Sequence, residues 1–137
     1  MTHRFELRVY YEDTDLAGIV YYANYLKFIE RARSEWVRAL GIDQTRLKAE
    51  EGLVFAVRRV EADYLSPARF DDLLDVETSL ARVSPVRLVL DQVVLKADKR
   101  LFEARVTIVA LTETGRPARL PAEFRRKVAG ALSEGPP

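Results

Sequence analysis

Cysteine is absent from this 137-residue chain. That absence excludes a disulfide framework, a thiolate nucleophile and any zinc or iron–sulfur site built on sulfur ligands. Histidine occurs once, at position 3, which argues against a His-rich metal centre or a Ser-His-Asp relay within one chain, and no metal site is expected. Charge of one sign is not in surplus either. The 22 Lys+Arg and 21 Asp+Glu leave +1, so composition offers no electrostatic case for nucleic acid or an anionic membrane as partner. No apolar run approaches the ~20 residues that cross a bilayer, and the opening stretch MTHRFELRVYYEDTD lacks the apolar segment of a signal peptide. A cytoplasmic protein without membrane insertion is the expectation. Repeats and low-complexity linkers are also missing, so residues 1–137 read as one domain with a flexible tail over 132–137. A chain of roughly this length buries about 70% of its unfolded surface, enough for a core without staples.

What is present is a clear change of period. Phe5, Leu7, Val9 and Tyr11 alternate with Arg4, Glu6 and Arg8, the pattern of a half-buried strand. From Asn24 onward Tyr25, Phe28, Ile29, Ala32, Trp36 and Leu40 form one helical stripe, with Asn24 placed to cap it and Gly41 to end it. The remaining helix positions, Val37 among them, read as the outer face, with Glu30 either solvated or turned toward a site. A short helix over about Asp43–Glu51 stops at Gly52. Strands then follow over Leu53–Tyr64, Asp72–Val83, Val86–Lys96 and Leu101–Thr112, with a turn at Ala97-Asp98-Lys99-Arg100. Pro121 opens a C-terminal helix. One strand, a long helix and then a run of strands with short connections specify an α+β domain with an antiparallel sheet. Apolar residues left over in Leu53–Val57 call for burial by self-association. His3 reads as a mobile terminal residue.

The chemically unusual segment is Glu12-Asp13-Thr14-Asp15-Leu16-Ala17-Gly18, three carboxylates at a strand end just ahead of the helix. A carboxylate there can serve as nucleophile or general base if the helix N-terminus offers N–H groups to a developing oxyanion. Asp15 lies nearest the apolar turn, and Gly18 would let backbone approach a ligand closely. Asp13 and Asp15 also fit a helix cap or a turn, Asp13 more readily than Asp15, and periodicity does not choose. Tyr10, Tyr11, Tyr21, Tyr22 and Tyr25 suit either an acyl pocket or the helix–sheet core. Asp72 reads as fixing the turn after Pro67.

The run Asp13-x-Asp15-x-x-Gly18-Ile19-Val20-x-Tyr22-x-Asn24-Tyr25 resembles the active-site segment of the hotdog-fold acyl-CoA thioesterases of the 4-hydroxybenzoyl-CoA thioesterase superfamily. Val9-Tyr10-Tyr11-Glu12, Phe28-Ile29-Glu30-Arg31-Ala32-Arg33 and Tyr64-Leu65-Ser66-Pro67 with Val76-Glu77-Thr78 are similar to its Tol-Pal-associated branch. The resemblance implies a hotdog fold, a five-stranded antiparallel sheet wrapped around one long central helix. It implies hydrolysis of a short-chain or aromatic acyl-CoA to free acid and CoA, in a homodimer or homotetramer. No cofactor is implied, CoA being part of the substrate. By this resemblance Asp15 is the catalytic carboxylate and the Tyr22 backbone N–H the oxyanion donor, with Gly18 and Tyr25 at the substrate. Tyr stands at 22 where many members of the Tol-Pal-associated branch carry His, which leaves the acyl preference open between aliphatic and aromatic groups. The basic cluster that holds CoA phosphates early in the fourth strand of the hydroxybenzoyl-type enzymes is replaced by Ser84-Pro85-Val86. Arg82, Arg87, Arg58 and Arg59 are the candidates for that role. A non-catalytic module binding acyl-CoA or acyl-carrier protein on the same fold is the alternative. A hydratase would want a His-Asp or His-Glu pair, which His3 alone does not supply.

Overall fold

The computed structural model describes residues 2–133; of the tail expected over 132–137, Leu132 and Ser133 belong to the last helix and 134–137 fall outside the described residues. Five long strands, β1 (Thr2–Arg8), β2 (Leu53–Tyr64), β3 (Leu73–Val83), β4 (Leu88–Lys96) and β5 (Lys99–Thr112), form one antiparallel sheet in the order β1-β3-β4-β5-β2. A two-residue strand, β6 (Pro117–Ala118), adds to β5 and makes six where five were expected. Helix α1 (Asn24–Ala39) packs across the sheet, followed by α2 (Gln44–Glu51) and, after the strands, α3 (Ala122–Ser133).

Period two decides which face of the sheet is dry. Leu74, Val76, Thr78 and Leu80 on β3, Leu88, Leu90, Gln92 and Val94 on β4, and Phe102, Ala104, Val106, Ile108 and Ala110 on β5 all point to one buried side. Against it α1 lays Tyr25, Phe28, Ile29, Ala32 and Trp36, the stripe its spacing predicts, with Leu40 half-buried. Val37, expected on the outer face, is buried as well. Two polar side chains sit in this core. Gln92 Nε2 donates to Thr78 Oγ1 and to the Ile29 carbonyl, both at 2.9 Å, and its Oε1 accepts from Arg33 Nη1 at 3.1 Å. Every polar atom of the Gln92 amide is thereby used, which is what makes its full burial tolerable.

The ends of α1 differ in kind. Its C-terminus is a Schellman arrangement: Gly41 adopts φ 80°, its N–H donates to the Arg38 carbonyl, and the Ile42 N–H reaches Val37. Its N-terminus has no side-chain cap. Asn24 is the first helical residue rather than the cap, and its Nδ2 donates to the Asp13 carbonyl at 2.9 Å, tying the preceding loop to the helix.

Three further expectations are corrected. The first strand ends at Arg8, and Tyr11 opens a single 3-10 turn with its ring in solvent, because Val9 leaves the β1–β3 ladder to bond Asp71 and Asp72. His3 is not a mobile residue but pairs with Thr78 inside β1. The β4–β5 hairpin turns on Ala97-Asp98 alone, with Ala97 at φ 53° where Gly or Asn would be the usual choice.

Candidate active site

The acidic segment folds into a miniature hairpin. The Gly18 N–H donates to the Asp15 carbonyl at 3.0 Å and the Asp15 N–H to the Ile19 carbonyl at 2.9 Å, with Gly18 at φ 80°. This is a four-residue turn closed by a left-handed residue, and it explains Asp at the first position and Gly at the last. Gly18 therefore answers to turn geometry. A Cβ added there would meet nothing within 4 Å, so close approach of packed backbone is not the reason for it.

Within this hairpin the carboxylates part company. Asp13 Oδ2 accepts the Tyr10 N–H at 2.8 Å and its carbonyl holds Tyr21 and Asn24, so Asp13 builds the loop. Asp15 is exposed. One oxygen accepts the Ala17 N–H at 2.9 Å, and among the described residues nothing donates to the other. Its backbone is one rung from Ile19, which with Val20, Tyr22, Tyr25, Tyr64 and Pro67 lines an apolar cleft of about 320 Å³. Asp15 lies beside this cleft rather than in its wall. Among the described residues no group accepts from the Tyr22 N–H, two residues before the uncapped start of α1. A free donor at the positive end of a 16-residue helix is suited to meet developing negative charge.

Tyr25 is placed in the core floor of the cleft. Its ring stacks on Phe102 at 5.0 Å and its hydroxyl accepts the Ala68 N–H at 3.0 Å, while burial pushes its phenol pKa up. Tyr64, given no role of its own in the sequence beyond opening the Tyr64-Leu65-Ser66-Pro67 run, closes the cleft from the end of β2 and donates its hydroxyl to the Tyr22 carbonyl at 3.0 Å. Its signal is that run, at the end of a strand. Removing that bond in Tyr64→Phe should leave the fold intact and lower turnover by about two- to ten-fold, the worth of one hydrogen bond, as read in steady-state thiol release.

The loop after β2 clamps the hairpin. The Val20 N–H donates to Ala68, Ile19 bridges Arg69, and Val9 exchanges bonds with Asp71 and Asp72. Asp72 fixes this loop as its sequence position suggests: Oδ2 accepts the Arg69 N–H at 2.8 Å and Oδ1 pairs with Lys96 at 2.9 Å. Burial pushes the Asp72 pKa up, but the Lys96 and Arg69 hydrogen bonds outweigh it and hold the carboxyl below its usual range. A depressed folded-state value gives stability that is complete above the unfolded pKa of about 3.9 and is lost as pH falls through the folded value. Asp72→Asn should therefore melt a few degrees below the parent at pH 7, and the two melting curves should converge once the pH has fallen through the depressed Asp72 value.

The four predicted arginines do not form one group. Arg58, the extra residue in a β2 bulge, and Arg87 come together around a second cleft with Arg119, which spacing gave no means of finding. Arg59 pairs with Glu61 at 2.9 Å, and Arg82 is exposed outside that cleft. Among the described residues no cluster of three metal-ligating side chains occurs, and no helix is long and apolar enough to cross a membrane.

Comparison with known proteins agrees with this layout. The model of the thioesterase superfamily matches residues 17–113. The acyl-CoA thioesterase YbgC of Haemophilus influenzae is 41% identical over 123 residues, 88% of this chain and 90% of that protein. The acyl-CoA thioester hydrolase YbgC of Escherichia coli is 40% identical over 129 residues, 90% of this chain and 96% of its own length. A probable thioesterase from Bartonella henselae superposes with a TM-score of 0.85 at 41% identity, covering 88% of this chain and all of that one. The expected hotdog architecture is thus borne out, and the chain belongs to the thioesterase superfamily.

Proposed function

We propose that the chain hydrolyses the thioester of a short-chain or aromatic acyl-CoA to the free acid and CoA. The observation that carries this reading is the open oxygen of Asp15 beside an apolar cleft whose wall includes Tyr22, with its unaccepted N–H. In the scheme, the Asp15 carboxylate attacks the carbonyl carbon or takes a proton from the water that does. Negative charge then grows on the carbonyl oxygen, where the Tyr22 N–H and the α1 dipole stabilise it, and the C–S bond breaks to release the CoA thiolate, which takes up a proton. Where Asp15 itself attacked, water then hydrolyses the acyl–Asp15 anhydride to the free acid and restores the carboxylate. Gly18 sets the hairpin that presents Asp15, and Tyr25 supports the acyl group from below. The scheme calls for no metal or redox cofactor.

The CoA phosphates are assigned to Arg58 and Arg87, joined by Arg119; Arg59 and Arg82 are placed less well for it. The site also lacks a roof. Leu16, Tyr21, Tyr22 and Tyr64 are exposed around it, and the free edge strand β2 carries exposed Val57 and Val60. A second copy covering both features is the reading those residues favour, giving a homodimer or a homotetramer. Sedimentation velocity should find an oligomer at micromolar concentration, and a monomer would remove this part.

The activity is tested by thiol release from a panel of acyl-CoA esters of differing length and aromaticity. Turnover of at least one class is expected. Saturable binding of a non-hydrolysable acyl-CoA analogue with no ester turned over would replace the enzyme by a binding module.

A further inference from the structure

Asn24 stands where its spacing would have it cap α1, yet it caps nothing. It is the first residue of the helix, and the cap position falls to Ala23, which makes no side-chain bond. Capping therefore does not account for an Asn here, and inside a helix Asn is a poorer former than Ala. What Asn24 does instead is bond both halves of the site. Its backbone N–H donates to the Tyr21 carbonyl at 2.8 Å, and its Nδ2 donates to the Asp13 carbonyl at 2.9 Å.

Each bond constrains one reacting group. The Tyr21 carbonyl and the Tyr22 N–H belong to one trans peptide and point in opposite directions, so holding the oxygen also aims the N–H. The Asp13 carbonyl is the second anchor. It accepts the Tyr21 N–H at 2.9 Å as well as the Asn24 amide, two residues before Asp15 on the same arm of the hairpin. Among the described residues the amide bond is the one side-chain hydrogen bond from α1 to the 12–20 segment. The other arm, through Ile19 and Val20, is clamped to the loop after β2. The partner also fixes the orientation of the amide, because turned over it would set its oxygen against a carbonyl oxygen. An ionised Asp has the same length but no N–H to give, and Ala has neither.

We infer that Asn24 is a positioning residue, its amide fixing the distance between the Asp15 carboxylate and the Tyr22 N–H; the inference rests on the hydrolysis proposed above. Asn24 does not line the apolar cleft, so its effect falls on turnover and not on acyl binding. Without the amide the Asp13 carbonyl keeps the Tyr21 N–H and is not left bare, so the fold tolerates the loss. The rate does not, since misplacing a reacting group by about 1 Å can cost on the order of 10².

Asn24→Ala should lower kcat by about 10- to 100-fold for the acyl-CoA that the parent turns over fastest, with KM within about twofold and melting within about 5 °C of the parent. Asn24→Asp should lose at least as much at neutral pH, although an acidic residue suits the first turn of a helix. In the Asp15→Asn background the loss from Asn24→Ala should shrink to less than about threefold, because there is no carboxylate left to align. Asp43→Ala is the structural control. Asp43 caps α2 by accepting the Arg46 N–H at 3.1 Å, so its replacement should lower the melting temperature and leave kcat unchanged. Parent-like kcat in the Asn24 variants, an equal loss with and without Asp15, or a matching kcat loss in Asp43→Ala each overturns the inference alone, provided Asp15→Asn shows its own loss. If Asn24→Ala does not fold, Asn24→Asp in the two backgrounds decides. Parent-like turnover in Asp15→Asn, or no ester turned over by the parent, removes the proposed reaction and this inference together.

Discussion

Asp15→Asn should lower the rate of thiol release by about 10³-fold or more while melting within a degree or two of the parent. Both halves follow from where the side chain stands. Asn keeps an oxygen for the Ala17 N–H, the one hydrogen bond its carboxylate makes, so the hairpin survives the change. The side chain is exposed and no core atom moves. What is lost is the negative charge that attacks carbon or accepts a proton, and positioned groups of either kind contribute on the order of 10²–10⁴ in rate. The loss should appear in kcat with little change in KM, because an interaction made only in the transition state is removed. Asp13→Asn is the control of opposite character. Asp13 orders the loop through the Tyr10 N–H, so its replacement should cost stability more than chemistry. Parent-like turnover in Asp15→Asn would take Asp15 out of the reaction.

The contrast between these neighbours shows what a sequence can and cannot carry. Periodicity locates α1, β1, β3 and β4 because burial on one face imposes it, whereas β2 has no such face, and the Schellman end at Gly41 is equally local. The Asp15–Gly18 turn is local chemistry too, yet a cap or a turn remains open to both Asp13 and Asp15, and periodicity does not choose. Only the folded loop separates them, since the Tyr10 N–H comes round to Asp13 and leaves one Asp15 oxygen open. His3 escapes the sequence for the opposite reason. Thr2, His3 and Arg4 have no apolar signature, but backbone pairing with β3 holds them regardless of side chain. Arg58, Arg87 and Arg119 meet through strand register and a bulge, and Tyr64 meets Tyr22 across 42 positions of chain. Neither encounter leaves a local pattern. Arg33 likewise reads as one charge among several on a helix until Gln92 rises to it from the sheet.

Phe102→Ala should be the most damaging single change to the fold, lowering stability by about 3–5 kcal/mol and the melting temperature by roughly 10–20 °C at fixed protein concentration. Phe102 is fully buried on β5 and anchors the aromatic cluster that joins sheet to helix. Tyr25 stacks on it at 5.0 Å, Tyr64 meets it edge-on at 5.0 Å, and Tyr25 in turn meets Phe28 at 5.9 Å. Truncation leaves a cavity under two rings that hold other parts in place. Tyr25 carries the Ala68 N–H and Tyr64 the Tyr22 carbonyl, so the loop and the oxyanion donor both rest on this floor. Activity per folded molecule should fall as well, through looser placement of Tyr22 rather than loss of a reacting group. Phe102→Leu, which keeps most of the volume, should cost substantially less and restore most of the activity. A Phe102→Ala variant melting within about 3 °C of the parent would mean that this cluster does not bear the helix on the sheet.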